Sequence, residues 1–530
     1  MRRALEIFVL VSMAALAACN RSEPGETSTQ PSAAAKAAAP KSCDELAALA
    51  LPNTTISGVE PVAAGAFKSP VPAFGGPGAD FTKLPAFCRV MGSIKASADS
   101  DIRFEVWLPA EGWNGKFMQT GNGGAAGSIV YGSLAEPLAR GYAVANTDTG
   151  HQGGGGDFAW ATGHPEKLTD YAYRAVHELT VVGKAVTAAR YGKNPERSYW
   201  NGCSTGGRQG LKEAQRFPDD YDAIVAGAPA NNWSPLMAFS IEVQRNMTGP
   251  DGLGVAKLGV LTTAALAACD ARDGVEDRVI GEPRLCTFDP AVTQCAAGKT
   301  EGCLSASEVA AAKRIYAGVV TKAGTVLMPG TGPASETLWA AYASPQFGIG
   351  TSYFRNVVAN DASWEPATFD VDADVARAEA QDGGAAKAMD PDLSAFVARG
   401  GKLITYHGTA DGLIPYANTV NYFESVVAKL GSGAVQDHVA LYLVPGMSHC
   451  AGGEGASAID WIGALEEFDR TGKPPSSIRA SHPAQQPGPP GAAATPGKAF
   501  TRPVCAYPQV AKYKGQGDES DAASWQCVAE

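Results

Sequence analysis

A serine between two glycines, placed where a strand-like run meets a helix-forming segment, constrains the fold of this chain most strongly. Gly202-Cys203-Ser204-Thr205-Gly206 matches the pattern G-x-S-x-G. In a nucleophile elbow the strand ends in a sharp turn, a helix begins at once, and the serine side chain stands at the positive end of that helix. Because the chain contains 61 glycines, a glycine-rich turn without catalytic function is the alternative. The segments before and after the motif bear on this choice.

Strand and helix patterns alternate on both sides of the motif. Apolar residues recur at three- and four-residue spacing from Leu168 to Tyr191, which predicts a helix, and a second helix is expected after Pro415. This alternation predicts an α/β fold, with a mostly parallel central sheet covered by helices on both faces. The predicted strands are 101–109, 116–120, 142–145, 197–201, 223–226, 402–406 and 439–444.

The alternation stops near residue 230 and returns near residue 400. The residues between hold four clustered cysteines, acidic turns and isolated aromatic side chains. We interpret 231–390 as an inserted domain that divides a catalytic core into 43–230 and 391–530. Within the second part, 474–502 is rich in Pro, Gly and Ala and is interpreted as an irregular strap, pinned at its end by Cys505 and Cys527.

The N-terminus has the pattern of an export signal. Arg2 and Arg3 precede a short apolar run, and Leu16-Ala17-Ala18-Cys19 is similar to a bacterial lipobox, so 1–19 is interpreted as a lipoprotein signal peptide. The following linker, 20–42, is rich in Ala, Pro, Ser and Thr. We therefore expect an exported, lipid-anchored protein of the cell envelope, with ordinary cleavage and secretion as the alternative.

The charge of the chain excludes one class of partner. Its formal net charge is −11, and no Lys/Arg cluster that could neutralise phosphates occurs. Nucleic-acid binding is therefore not expected.

Ten cysteines remain if Cys19 carries the lipid. An even set behind an export signal predicts disulfides, although sequence alone does not fix their pairing, and free buried thiols are the alternative. Pairing between near neighbours leaves Cys203 and Cys450 for each other. The four local pairs would be Cys43–Cys88, Cys269–Cys286, Cys295–Cys303 and Cys505–Cys527.

Ser204 requires a base and an orienting acid. His449 and Asp411 each follow a predicted strand, and the order Ser204, Asp411, His449 is the chain order of an α/β-hydrolase triad. A loop histidine and an Asp-Gly turn are the structural alternatives. His177, by contrast, lies in the middle of the predicted helix 168–191 and is interpreted as structural.

An oxyanion intermediate would need two preorganised donors. The backbone N–H of Thr205 is expected to be one, because this residue follows the nucleophile. The second is expected from the glycine-rich run after strand 116–120, at Gly123 or Gly124, and the sequence does not decide between them. A simple turn is the alternative for these glycines.

Three motifs together resemble the tannase and feruloyl esterase family. They are Gly-Cys-Ser-Thr-Gly-Gly-Arg-Gln around Ser204, His-Gly-Thr-Ala-Asp ending at Asp411, and Pro-Gly-Met-Ser-His-Cys around His449. The family includes a hydrolase of mono(2-hydroxyethyl) terephthalate, and the resemblance extends from about Cys43 to Cys527. It implies an α/β-hydrolase core, a lid formed by the insertion, and a disulfide between the neighbours of Ser204 and His449. It also implies hydrolysis of esters of aromatic acids through an acyl-enzyme.

The resemblance further implies a structural Ca²⁺ site in the lid. Five residues of one short turn match it, with carboxylates from three and backbone carbonyls from two: Asp270, Asp273, Asp277, Val275 and Val279. The spacing alone favours a solvated acidic turn.

We therefore interpret the chain as a serine esterase acting on a small aromatic ester of the feruloyl, galloyl or terephthaloyl type. A broad carboxylesterase or peptidase, or a non-catalytic protein that binds phenolic esters or glycans, is the alternative. Arg355 is a candidate for substrate binding, with a surface arginine of the lid as the alternative. The sequence does not indicate the acyl group or the oligomeric state.

Overall fold

A nine-stranded sheet forms the centre of the fold. The structure is a computed structural model that describes residues 39–71, 79–381, 385–486, 495–496 and 498–529. The predicted signal peptide 1–19 and most of the linker 20–42 lie outside the described residues. The strands are β1 (Thr54–Val62), β2 (Phe87–Ile94), β3 (Ile102–Pro109), β4 (Lys116–Thr120), β5 (Ala143–Thr147), β6 (Arg197–Cys203), β7 (Ala223–Gly227), β8 (Val319–Val320), β9 (Val326–Met328), β10 (Lys402–Gly408), β11 (Val439–Val444), β12 (Ser477–His482), β13 (Gln485–Gln486), β14 (Thr495–Pro496), β15 (Phe500–Cys505), β16 (Val510–Tyr513) and β17 (Trp525–Val528).

Helices cover this sheet, as the alternating pattern predicts. They are α1 (Tyr131–Ala139), α2 (Pro165–Thr169), α3 (Ala175–Tyr191), α4 (Thr205–Arg216), α5 (Trp233–Thr248), α6 (Leu258–Cys269), α7 (Ala306–Ala317), α8 (Ala340–Ala343), α9 (Ile349–Tyr353), α10 (Val371–Gln381), α11 (Ser394–Ala398), α12 (Tyr416–Leu430), α13 (Ser432–Val435) and α14 (Trp461–Thr471). The predicted helix 168–191 is interrupted, because Asp170–Arg174 form one π-helical turn between α2 and α3. Among the described residues, no helix is long and apolar enough to cross a membrane.

The predicted fold class, with its mostly parallel sheet, is confirmed. β1, β2 and β3 pair antiparallel, and β3 pairs antiparallel with β5. Along the central sheet, from β5 through β4, β6, β7 and β10 to β11, every pairing is parallel. Successive residues of β7 alternate between two apolar cores, Ile224 facing one and Val225 the other, because side chains of a strand point to opposite faces. A parallel sheet buried on both faces requires this arrangement.

The residues between β7 and β10 form α5 to α11 and the short β8–β9 hairpin. Their aromatic side chains, such as Trp233, Trp339 and Tyr353, pack into one apolar cluster that also includes Phe158 and Tyr171 from the segment before the elbow. Residues 39–530 accordingly form one compact unit. The boundaries of the inserted domain, 231–390, stay a prediction.

The C-terminal strap is more regular than its composition indicates. β12 pairs antiparallel with β15, and Ile478, Ala480 and His482 alternate inward along β12. The interpretation of 474–502 as irregular is therefore wrong for 477–482 and 500–502. The physical reason is the alternation of Ser-Ile-Arg-Ala-Ser-His, which gives these residues one buried face.

Five disulfides join the chain in the pairs that the sequence predicts. Four close short or intermediate segments, and the fifth joins residues 247 positions apart. The pairs are Cys43–Cys88, Cys203–Cys450, Cys269–Cys286, Cys295–Cys303 and Cys505–Cys527.

Candidate active site

Ser204 occupies a sharp turn between the end of β6 and the start of α4. Its backbone has φ 64° and ψ −121°, a conformation that costs free energy for a residue with a side chain. The turn is tight because a Cβ on Gly202 would lie 2.7 Å from the carbonyl carbon of Gly206, and one on Gly206 would lie 3.0 Å from Cα of Gly121. The two glycines of the motif thus permit the turn, as a nucleophile elbow requires.

Backbone hydrogen bonds hold Ser204 in this conformation. Its N–H donates to the carbonyl of Gly227 (2.9 Å), and its carbonyl accepts from the N–H of Ala230 (3.1 Å). The residue is half-buried, and within the described part of the chain Oγ has no hydrogen-bond partner. The predicted role of His449 as the base for Ser204 therefore stays a prediction.

Asp411 and His449 lie in direct contact. Nδ1 of His449 is 2.7 Å from Oδ2 of Asp411. Because a carboxylate oxygen only accepts, Nδ1 carries the proton and Nε2 is left as the basic nitrogen. Asp411 is fully buried, whereas the side chain of His449 is 19% exposed. This is the arrangement by which a buried acid orients a catalytic imidazole.

A second imidazole, His407, also contacts Asp411. Its Nε2 lies 3.2 Å from Oδ2 of Asp411 and 2.9 Å from the carbonyl of Ile414, so Nε2 donates to both. Its Nδ1 lies 2.8 Å from Oγ1 of Thr419. The sequence analysis assigned no role to His407, although it lies in the same His-Gly-Thr-Ala-Asp motif as Asp411.

The surroundings of Asp411 favour its ionised form. Oδ1 accepts from the N–H groups of Leu413 (2.8 Å) and Ile414 (3.0 Å). Burial raises the pKa of Asp411, but the charge of His449 and the hydrogen bonds from both imidazoles outweigh it and hold this pKa well below its ordinary value. Asp411 is therefore a fixed negative charge beside His449.

The loops that carry Asp411 and His449 are joined by backbone contacts. The N–H of Ala410 donates to the carbonyl of Met447 (3.0 Å), and the N–H of Gly446 donates to Oγ1 of Thr409 (3.0 Å). Gly408 is required here, because a Cβ would lie 2.3 Å from the carbonyl oxygen of Met447. The two loops thus leave the ends of β10 and β11 as one packed unit.

The disulfide Cys203–Cys450 joins the elbow to the histidine loop. Its Cα–Cα distance is 6.0 Å. Because consecutive Cα atoms are about 3.8 Å apart, the Cα atoms of Ser204 and His449 lie within about 14 Å of each other. That bound permits a hydrogen bond between the two side chains.

Side-chain hydrogen bonds hold the glycine-rich loop against the elbow helix. Asn122 N–H donates to Oε1 of Gln209 (3.0 Å), and Nε2 of Gln209 donates to Oδ1 of Asn122 (3.1 Å). Oγ1 of Thr205 donates to the carbonyl of Gly124 (2.7 Å). Asn122 and Gln209 were missed from sequence, because their pairing joins residues 87 positions apart.

The candidate oxyanion donors remain available. Thr205 is the first residue of α4, so its N–H has no partner within the helix. Among the described residues, the N–H groups of Thr205, Gly123 and Gly124 donate to no protein acceptor. Gly124 has φ 55°, and a Cβ there would lie 2.1 Å from the carbonyl oxygen of Gly155.

The acidic turn of the insertion brings its three aspartates together. One carboxylate oxygen of each accepts a hydrogen bond from a backbone N–H. The donors are Arg278 for Asp270, Val275 for Asp273 and Val279 for Asp277. Oδ1 of Asp270 is buried and has no hydrogen-bond partner within the described residues. The guanidinium of Arg502 lies 2.6 Å from Oδ2 of Asp277.

The electrostatics of this turn are those of crowded acids. Burial raises the pKa of Asp273 to about 7, opposed by the N–H of Val275 and reinforced by the charges of Asp277 and Asp270. Burial also raises the pKa of Asp270. In the described part of the chain, the carbonyls of Val275 and Val279 accept no hydrogen bond. Unpartnered oxygens and mutually repelling carboxylates fit a hard cation.

Arg355 is engaged within the insertion. Its Nε donates to the carbonyl of Trp364 (3.0 Å), and Nη2 pairs with Oε1 of Glu365 (3.0 Å). A role of Arg355 in substrate binding stays a prediction.

The fold and the elbow define the class of protein. A mostly parallel sheet, with a serine-bearing turn between a strand and the helix that follows it, is the α/β-hydrolase fold. Within that class the chain belongs to the tannase and feruloyl esterase family. The model of this family, described as "Tannase and feruloyl esterase", matches residues 88–528.

Relatives and solved structures agree with this membership. The chain is 36% identical to an uncharacterized esterase of Xanthomonas campestris pv. campestris, over 93% of this chain and 92% of that protein. It is 34% identical to a probable feruloyl esterase B-2 of Aspergillus terreus, over 83% and 86%. Its fold is similar to the crystal structure of feruloyl esterase B from Aspergillus oryzae (TM-score 0.82, 30% identity, 92% and 99% covered). It is also similar to a tannin acyl hydrolase from Aspergillus niger (TM-score 0.72, 25% identity, 91% and 92% covered).

The family establishes the general reaction. This chain is a carboxylic ester hydrolase, and its substrate is a small-molecule ester.

Proposed function

We propose that this protein is a serine esterase that hydrolyses esters of aromatic acids through an acyl-enzyme. The observation that carries the proposal is the buried Asp411–His449 pair, tied by the Cys203–Cys450 disulfide to the elbow that presents Ser204. The names of the feruloyl esterase and tannin acyl hydrolase relatives support an aromatic acyl group.

In this mechanism Ser204 Oγ attacks the ester carbonyl while Nε2 of His449 takes the serine proton. The N–H of Thr205 and that of Gly123 or Gly124 donate to the oxyanion. His449 then passes its proton to the leaving alcohol, and afterwards activates the water that releases the acid. Asp411 keeps Nδ1 of His449 protonated and stabilises the imidazolium, without taking a proton itself.

The assignment is tested by measuring hydrolysis of methyl ferulate and of a para-nitrophenyl ester. Ser204→Ala is expected to lower kcat by about 10⁴-fold or more. Ser448→Ala, a second serine beside His449, is the matched control and is expected to stay within about tenfold of wild type, since no step uses it. Activity that persists in Ser204→Ala would remove this serine from its role, and a wild type inactive on every ester would favour a binding function.

We also propose that the insertion 231–390 is a lid and that its acidic turn holds Ca²⁺. Carboxylates of Asp270, Asp273 and Asp277 and carbonyls of Val275 and Val279 would bind the ion, all through oxygen atoms. Support comes from the unpartnered oxygen of Asp270 and from the free carbonyls of both valines. The ion would supply positive charge that stiffens the turn, and no catalytic step requires it.

Export with a lipid anchor at Cys19 is the third proposal. Five disulfides support an oxidising compartment. Mass spectrometry of the mature N-terminal peptide tests it, with acylated Cys19 as the expected product. An unlipidated peptide that begins elsewhere would contradict the anchor.

A further inference from the structure

Three metal-ligating side chains converge on the far end of the elbow helix, away from Ser204. They are His177 in α3, Glu213 in the last turn of α4, and Asp220 in the loop that leads into β7. One ligand atom of each lies within 4.8 Å of the others. Nδ1 of His177 is 2.6 Å from Oδ2 of Asp220. We call this group the α3–α4 cluster.

Glu213 is the unusual member of the cluster. The residue is 1% exposed, and within the described part of the chain neither Oε1 nor Oε2 accepts a hydrogen bond from an N–H or hydroxyl group, so its polar neighbour is the carboxyl of Asp220. A buried carboxylate without partners carries a large desolvation penalty, and native structures rarely leave one in that state. The charge of Asp220 nearby adds repulsion. The carboxylate therefore faces a position where a positively charged ligand would be strongly stabilised.

We propose that His177, Glu213 and Asp220 bind one divalent transition-metal ion of the zinc class. An imidazole nitrogen with two carboxylate oxygens is a ligand set that suits Zn²⁺ and its neighbours, whereas Ca²⁺ takes oxygen ligands only. The side chains of His177 and Asp220 are 30% and 13% exposed, so water can complete the coordination from that side. The site is thus chemically distinct from the acidic turn at 270–279.

The surroundings of the cluster are compatible with an added cation. Phe217 stacks on the ring of His177 at 3.9 Å and 9°, which fixes the orientation of the imidazole. Lys184 is one basic group beside the cluster, and its Nζ donates to the backbone carbonyl of Asp220. Lys212 donates to the carbonyl of Lys387, and the charges of both lysines also act on Glu213. The cluster therefore presents an imidazole of fixed orientation beside two carboxyl groups.

Bound there, the ion would join three elements that set the position of the elbow. α4 begins at Thr205, directly after Ser204, and Glu213 lies near its other end. α3 and the loop before β7 supply the remaining ligands. The metal would be structural, because it lies at the end of α4 opposite the reacting groups and touches none of them.

Zinc binding by the full-length protein tests the proposal. The protein is dialysed against chelator, returned to buffer with excess Ca²⁺ to saturate any calcium site, and titrated with Zn²⁺ alone by calorimetry, with metal content as a second measurement. Wild type is expected to bind one Zn²⁺ per chain at this site. Glu213→Gln and His177→Gln are each expected to weaken that binding by more than the roughly 10–100-fold that loss of an outer-shell partner costs.

His164→Gln is the matched control. His164 also pairs with an aspartate, since its Nδ1 lies 2.9 Å from Oδ2 of Asp99, but this pair is on the surface and has no buried glutamate. The control is expected to keep the zinc. With Co²⁺ as probe, wild type and His164→Gln should give the visible absorption bands of a low-coordinate nitrogen and oxygen site, and His177→Gln should not.

Three results would overturn the proposal. Wild type that takes up no stoichiometric Zn²⁺ would indicate a proton shared between Glu213 and Asp220. Equal loss of zinc in His164→Gln and His177→Gln would indicate general surface binding. Zinc retained by a folded His177→Gln would exclude this imidazole as a metal ligand. The His177→Gln variant therefore decides the question even if Glu213→Gln fails to fold.

Discussion

Asp411 and Asp273 are both carboxylates withdrawn from water, yet the protein treats them in opposite ways. Asp411 receives four donors, two imidazoles and two backbone N–H groups. Its pKa lies well below the ordinary value. Asp273 receives one backbone N–H and faces two other aspartates, and burial with their charge raises its pKa to about 7. The first site is complete within the chain, whereas the second sets three carboxylates against the single guanidinium of Arg502 and is the site where we propose Ca²⁺.

The largest expected effect comes from Asp411→Asn. An asparagine can place its NH₂ group toward Nδ1 of His449, which would favour the wrong tautomer, so kcat is expected to fall by about 10⁴-fold. Hydrolysis of methyl ferulate measures it. Asp273→Asn is the matched variant and should keep kcat within a few-fold of wild type. Equal losses of activity in the two variants would contradict the division between the two sites.

The second expected effect concerns the bridge that joins elbow and histidine loop. Removing it with Cys203→Ala and Cys450→Ala together should lower kcat by about 10²-fold, because small misplacements of reacting groups are costly. The free energy of unfolding should also fall by roughly 2–5 kcal/mol. The control pair is Cys505→Ala with Cys527→Ala, which should reduce the free energy of unfolding but leave kcat of the folded enzyme near wild type. A wild-type kcat without the Cys203–Cys450 bridge would show that positioning does not depend on it.

The third expected effect tests the acidic turn directly. Removing Ca²⁺ with a chelator should lower Tm of the wild type, since an ion present at a hundred times its Kd stabilises the fold by about 2.7 kcal/mol. Asp273→Asn should have a lower Tm than wild type even before chelator is added, and chelator should change the Tm of this variant little. Thermal unfolding with and without Ca²⁺, together with the bound-metal content, measures this. Unchanged Tm and no calcium in the wild type would mean that the turn is only solvated.

The smallest expected effect is a pH dependence that extends the comparison to Asp148. This carboxyl accepts hydrogen bonds from the N–H groups of Arg103 (3.0 Å) and Gly150 (2.9 Å), yet burial outweighs them and raises its pKa to about 7. Because this pKa is raised, the contribution of Asp148 to the stability of the fold is fully present below about pH 4 and is lost as the pH rises to about 7. Asp411, with its lowered pKa, contributes stability above about pH 4 and loses it only in acid.

Asp148→Asn should therefore be more stable than wild type at pH 8 but not at pH 4. The gain is expected to be about 1–2 kcal/mol, because the amide accepts weaker hydrogen bonds than the carboxylate and offsets part of the benefit. Urea unfolding at both pH values measures the difference. A stability difference that is the same at pH 4 and pH 8 would contradict the raised pKa.

Much of the fold could be predicted because it is encoded in local patterns. Strands such as 116–120 and 439–444 were found at their observed bounds, since alternation or continuous apolar character marks them directly. The cysteine pairs followed from chain order and proximity. The elbow was recognisable because the tight turn at Ser204 has no room for side chains at the flanking glycines, so the constraint is written in the local sequence.

The side chains that support the site could not be predicted, because their contacts join distant segments. Gln209 holds Asn122 across 87 positions, and nothing in either local sequence specifies the partner. His407 was visible in the motif, but its role depends on the turn that brings Asp411 back beside it. His177 was interpreted as structural from its place in a helix, and only the fold brings Glu213 and Asp220 to it.

The central claim is that Ser204 carries the acyl group during hydrolysis. Rapid acid quench of the wild type with para-nitrophenyl ferulate, followed by peptide mass mapping, tests it most directly. We expect one added feruloyl mass on the peptide that contains Ser204, and none in Ser204→Ala. Turnover of this ester by wild type with the label on another peptide would contradict the account.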